Sequence, residues 1–142
     1  MTNDAFTRQN LEQQRKVLLV DEEAGDLKLF GQILENQGFE VSASATYEGG
    51  VQYLNADQFD FVVVSQGGPA FEGRRVLERA GELDRHLPVV VLTRSLDMPS
   101  YLESMQLGAI DYLEKPVEAR DLIRMVKGHT QNARPKGMAG AV

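Results

Sequence analysis

Three runs of this chain, KVLLV (Lys16–Val20), FDFVVVS (Phe59–Ser65) and LPVVVLT (Leu87–Thr93), are almost continuously apolar and too short for buried helices. Short valine-rich runs of this kind are what strands look like when both faces of their sheet are covered. Between them the period changes. Leu27, Phe30, Ile33 and Leu34 fall on one helical stripe. It stops at Gly38, which can take the left-handed conformation of a helix C-cap. FEVSAS (Phe39–Ser44) alternates as a strand does. Tyr47–Asn55 reads as a short helix weakened by Gly49 and Gly50. Glu72–Leu83 is helical, with Val76, Leu77, Ala80 and Leu83 inward. Ser100–Leu107 is a helix ending at Gly108, AIDYLE (Ala109–Glu114) is a last strand, and Glu118–Lys127 is a last helix with Leu122, Ile123 and Val126 inward. Five strands, each followed by a helix, imply an α/β fold. The sheet is parallel and doubly wound, with right-handed crossovers and helices on both faces.

The chain of 142 residues fits one domain. We expect a polar N-terminal extension over 1–15, the folded unit over 16–127 and a small-residue, polar C-terminal tail over 128–142. The net charge of -6 repels a phosphate backbone, so no nucleic-acid binding is expected of this domain. With no cysteine there is no disulfide, thiolate metal site or cysteine nucleophile, which suits a reducing cytosol. No apolar run approaches the ~20 residues that cross a bilayer, and the N-terminus lacks the apolar segment of a signal peptide. A cytoplasmic, membrane-free location is the expectation.

In such sheets ligands gather at the carboxyl ends of the strands. Asp21, Glu22 and Glu23 follow the first strand, Ser65 ends the third, Thr93 ends the fourth and Lys115-Pro116 follows the fifth. Any one acidic residue there is adequately explained as a cap for the next helix. The whole set is better explained as a pocket for a hard cation and a phosphoryl group: carboxylates suit Mg²⁺, and a hydroxyl and an ammonium suit phosphate oxygens.

The motifs VLLVDEE, FDFVVVS with Pro69 and Gly73 in register, PVVVLT and GAIDYLEKP give the region from Lys16 to Lys127 a resemblance to the receiver domain of bacterial two-component response regulators. The resemblance implies a flavodoxin-like (βα)5 sheet of order 2-1-3-4-5 and a signalling rather than enzymatic role. It implies that Asp21 and Glu22 are the acidic pair for Mg²⁺ and that the Gly67 carbonyl is a third ligand. Thr93 would be the switch hydroxyl, Tyr112 the switch aromatic, and Lys115 the phosphoryl partner, joined to Pro116 by a cis bond.

The family's phosphoacceptor is an aspartate where this chain has Ser65. A serine hydroxyl is a weak nucleophile without a base, and neither His86 nor His129 is placed to serve. A phosphoserine ester would not reset by itself. Losing a carboxylate also weakens the expected Mg²⁺ site. Gln66-Gly67-Gly68 departs from the usual loop. Arg94, where a small residue is usual, is free to cover the pocket, pair with Asp21 or Glu22, or stay solvated. Lys115 can bridge to Asp21 and bond Ser65 without phosphate.

Three functions follow. The first is an atypical receiver acting as a protein-interaction module. It would meet a histidine kinase, phosphotransfer or output protein, or a second copy as a homodimer, through the fourth helix, fifth strand and fifth helix. The second is a phosphorylation switch with Ser65 or Asp21 as acceptor. The third is a flavin-binding flavodoxin-like protein, disfavoured because Asp21-Glu22-Glu23 stands where a phosphate loop is needed.

Overall fold

The computed structural model describes residues 14–130. Most of the expected extension and tail lies outside the described residues. The elements are β1 (Lys16–Val20), α1 (Ala24–Asn36), β2 (Glu40–Ser44), α2 (Tyr47–Ala56), β3 (Phe61–Ser65), α3 (Arg74–Leu83), β4 (Val89–Thr93), α4 (Met98–Gln106), β5 (Asp111–Glu114) and α5 (Ala119–Thr130). All strand pairs are parallel and the order is β2-β1-β3-β4-β5. The expected (βα)5 sheet is present.

The valine-rich runs form the middle of the sheet because both their faces are covered. Val17, Leu19, Phe61, Val63, Val90 and Leu92 point to one side, where Phe30 and Leu34 of α1 and Leu122 and Val126 of α5 close the core. Leu18, Val20, Val62, Val64, Val89 and Val91 point to the other, against Leu54 of α2 and Val76, Leu77 and Ala80 of α3. Strand register carries this alternation across the sheet: Val64 sits beside Val20 on one side and Val91 on the other.

Several boundaries differ from expectation by one to three residues: Phe39 precedes its strand, the third helix begins at Arg74 rather than Glu72, and the fourth spans Met98–Gln106 rather than Ser100–Leu107. Phe59, Leu87 and Ala109 precede their strands rather than belonging to them. Leu83, expected inward, is exposed, because the chain leaves helical geometry at Asp84 directly after it. The last helix runs past Lys127 to Thr130, whose buried hydroxyl donates to the Val126 carbonyl at 2.8 Å. Gly38 has the positive φ expected of it, +92°. Among the described residues no helix is long and apolar enough to cross a membrane.

Candidate functional site

Because the strands are parallel, β1, β3, β4 and β5 deliver their last residues to one edge. Asp21 extends β1 by donating its N–H to the Ser44 carbonyl at 3.1 Å. Its side chain is buried. Oδ1 accepts the Glu23 N–H at 2.9 Å, which turns the chain into α1. Lys115 arrives from β5, anchored by its N–H to the Thr93 carbonyl at 2.7 Å and followed by the expected cis bond to Pro116. Its Nζ, buried, donates to Asp21 Oδ2 at 2.8 Å, to Asp26 Oδ2 at 2.8 Å and to Glu23 Oε2 at 3.4 Å. An ammonium has three protons to donate, so this set satisfies it. Burial pushes the Lys115 pKa down, but the Asp21 and Asp26 carboxylates prevail and hold it above its ordinary value.

Arg94, at the end of β4, completes the cluster. Its Nε reaches both Glu23 oxygens at 2.7 and 2.9 Å. Its Nη2 reaches Glu23 Oε1 at 2.6 Å and Asp26 Oδ2 at 3.0 Å. The Arg94 guanidinium, with Lys115 adding, holds the Glu23 carboxyl below its usual range. The arginine thus pairs with Glu23 and Asp26, not with Asp21 or Glu22. Glu22 is exposed and forms no ion pair among the described residues. Pairing falls to Glu23 and Asp26 because they lie three residues apart and so share one side of the first turn of α1.

Ser65 is buried at the end of β3, and its Oγ lies 2.8 Å from the Tyr47 hydroxyl. Lys115 makes no bond to it, contrary to expectation, because its donors are taken by carboxylates. Burial, helped by the nearby charges of Glu22, Asp21 and Glu72, pushes the Tyr47 phenol up to about 12, so it is neutral at ordinary pH. The loop after Ser65 folds back tightly. Gly73 donates its N–H to the Gln66 carbonyl at 2.9 Å, and a Cβ on Gly73 would stand 2.1 Å from the Ser65 carbonyl oxygen. Gly67, at φ +87°, is crowded by Glu72 and Tyr47, and the Gly68 N–H donates to Glu72 Oε1 at 2.7 Å.

Thr93 is buried and bonds locally: its hydroxyl donates to the Ser95 carbonyl at 2.9 Å and accepts the Ser95 N–H at 3.1 Å. The Tyr112 hydroxyl donates to Gln66 Oε1 at 2.5 Å and accepts the Asp97 N–H at 3.3 Å. Gln66 Nε2 in turn donates to Asp97 Oδ2 at 3.0 Å and to the Gly68 carbonyl at 3.1 Å. Asp97 Oδ1 caps α4 by accepting the Ser100 N–H at 2.7 Å.

Of the residues expected to form the metal and phosphate pocket, Asp21 and Lys115 are the pair whose side chains bond each other among the described residues. Ser65, Thr93 and Tyr112 share the edge but belong to separate networks. Sequence reasoning missed Tyr47, Asp26 and Asp97. Asp97 carried a signal, a cap residue three positions before Ser100, and Asp26 lies one helical turn after Glu23. Tyr47 carried none.

The Mg²⁺ implied by the resemblance is tested by this donor set. Among the described residues no three His, Cys, Asp or Glu side chains are grouped to hold a metal ion. Both Asp21 oxygens are engaged, Glu22 stands apart, residue 65 is a neutral hydroxyl, and the Lys115 ammonium already neutralises Asp21. The residues do not fit the ion.

The family model of the response regulator receiver domain matches residues 17–127. The transcriptional regulatory protein FixJ of Bradyrhizobium diazoefficiens is 28% identical over 126 residues, covering 89% of this chain and 62% of FixJ. The sensor protein GacS of Pseudomonas syringae is 37% identical over 119 residues, covering 78% of this chain and 13% of GacS. The chain therefore spans only part of the relatives it matches. A CheY-like receiver domain from Methanospirillum hungatei superposes with a TM-score of 0.78 at 29% identity, covering 83% of this chain and 94% of the other. With the sheet order, the cis Lys115–Pro116 bond and the Asp21–Lys115 pair in place, the match of the family model over most of its length settles the family: the chain belongs to the response regulator receiver domain family.

Proposed function

We propose that this receiver domain serves two-component signalling as a protein-interaction module, without an aspartyl-phosphate cycle and without catalysis of its own. The observation that carries the reading is Ser65. The group at the end of β3 is a hydroxyl bonded to a neutral phenol, with no base beside it and with Asp21 tied to Lys115. Nothing in that arrangement raises the nucleophilicity of Ser65 or neutralises an incoming phosphoryl group with a metal.

The contact surface we assign is the α4–β5–α5 side. The buried residues of α4 are Ser100 and Ser104, whereas Met98, Tyr101, Leu102 and Met105 face solvent. A helix that turns serines inward and apolar side chains outward favours a protein partner. Kinase, phosphotransfer and output proteins, or a second copy, are the partners we propose for it.

An amide NMR titration with Mg²⁺, then with Mg²⁺ and beryllofluoride, tests the reading. We expect resonances of Asp21, Gly67, Thr93 and Lys115 to stay in place. A joint shift of Thr93 and Tyr112 would show a phosphorylation switch that operates without its aspartate.

A further inference from the structure

Asp21, Glu23 and Asp26 meet two cations, Lys115 and Arg94, at the carboxyl end of β1. These are not separate pairs. Asp26 Oδ2 receives both Lys115 at 2.8 Å and Arg94 at 3.0 Å, and the Glu23 carboxylate likewise receives both. The five side chains form one network, with a formal charge of -1 where the three carboxylates alone would carry -3.

The sheet order makes the position of Arg94 informative. It leaves the end of β4, which β3 separates from β1. Strands in a sheet lie about 4.8 Å apart, so β4 and the β1–α1 turn are separated by roughly 10 Å across the end of β3. The long Arg94 side chain and the Glu23 and Asp26 side chains that meet it span that gap between them. A small residue in place of Arg94 could not reach Glu23 or Asp26. The side chain stays 58% exposed, and an exposed pair by itself contributes little. Here the guanidinium meets Glu23 through two nitrogens while sharing Asp26 with a buried ammonium, which is a network geometry.

We propose that Lys115 and Arg94 together supply the positive charge that a divalent ion would supply to these carboxylates, and that Arg94 is the residue that closes the cluster to Mg²⁺. The proposal deepens the reading above and rests on it in one respect, the absence of a carboxylate at residue 65.

The test is a Mg²⁺ titration at fixed ionic strength, followed by amide NMR. It compares the intact chain with Ser65→Asp, Arg94→Ala and Ser65→Asp/Arg94→Ala. Counting residue 65 with the cluster, the formal charges are -1, -2, -2 and -3. We expect no saturable response in the intact chain and roughly tenfold tighter Mg²⁺ binding by the double variant than by Ser65→Asp, because divalent affinity follows ligand charge. Arg94→Gln in place of Arg94→Ala keeps side-chain bulk and should give the same gain; circular dichroism confirms folding. Equal affinity of Ser65→Asp and the double variant would overturn the role of Arg94 while leaving the interaction-module reading intact. Saturable Mg²⁺ binding by the intact chain would overturn both.

Discussion

Ser65 and Tyr47 hold each other at 2.8 Å, and the phenol is pushed up to about 12. The chain has four tyrosines. An alkaline titration followed by tyrosinate absorbance should show one of them lagging about two pH units behind an ordinary phenol, and Tyr47→Phe should abolish the late step. The stability consequence has a definite sign. The folded state keeps a proton that the unfolded chain loses near pH 10, so this contribution is full below pH 10 and is lost as pH rises towards 12. Gly73 makes a second argument at this scale. Its φ is -66°, open to any residue, yet a Cβ would collide with the Ser65 backbone oxygen at 2.1 Å. Gly73→Ala should therefore cost about 2–3 kcal/mol, read from the urea midpoint. The sequence placed Ser65 and Gly73 correctly in register with each other, because both sit on a motif. Tyr47 was not legible: its contact with Ser65 spans 18 positions and exists only because α2 packs against β1 and β2, which carries its first residue to the same edge of the sheet.

The helix α4 shows how an element can run against its own pattern. Met98, Tyr101, Leu102 and Met105 recur at helical spacing, and apolar periodicity alone would turn them inward. Three contacts outside the periodicity set the rotation: the Asp97 cap at Ser100, the Arg74–Glu103 ion pair to α3 at 2.7 Å, and the edge-to-face packing of Tyr101 on Tyr112. The serines are left against the sheet, and the buried Ser104 hydroxyl has no hydrogen-bond partner among the described residues. An unsatisfied buried polar atom is destabilising, so Ser104→Ala should raise stability by about 1 kcal/mol in urea unfolding. On the outer side Leu102 is 49% exposed. Leu102→Glu should leave the unfolding midpoint nearly unchanged and weaken partner binding at least tenfold by calorimetry. Equal binding by this variant would place the partner elsewhere.

Across the whole molecule, the fold was legible because the valine-rich runs could be only central strands, and repeated strand–helix alternation leaves few topologies. The cluster at their ends was legible as a collection of charges but not as a wiring. Asp21 and Lys115 stand 94 positions apart, and their 2.8 Å contact depends on every strand between them being in place. Side-chain exposure of 2% on each partner makes this pair the costly kind to break. Removing one member strands the other charge in the interior, whereas removing both need not cost anything, since apolar replacements of similar volume pack there. Lys115→Met should thus lower stability by roughly 3 kcal/mol, and Asp21→Leu/Lys115→Met should recover much of that loss, with urea slopes unchanged throughout. The pH profile of the intact chain follows from the same wiring. Lys115, raised, contributes stability that is full below its unfolded value of 10.5 and is lost as pH climbs through the higher folded one. Glu23, lowered, contributes stability that is full above 4.5 and is lost as pH falls through the lower folded value. Between those limits the contribution of these two groups is flat. Arg94→Ala should shrink the acid limb alone, because Arg94 is the main cause of the Glu23 shift while Lys115 keeps Asp21 and Asp26. Chemical unfolding of the intact chain and Arg94→Ala between pH 3 and pH 7 separates the two: curves that stay parallel through that range would mean the guanidinium does not engage Glu23 in solution.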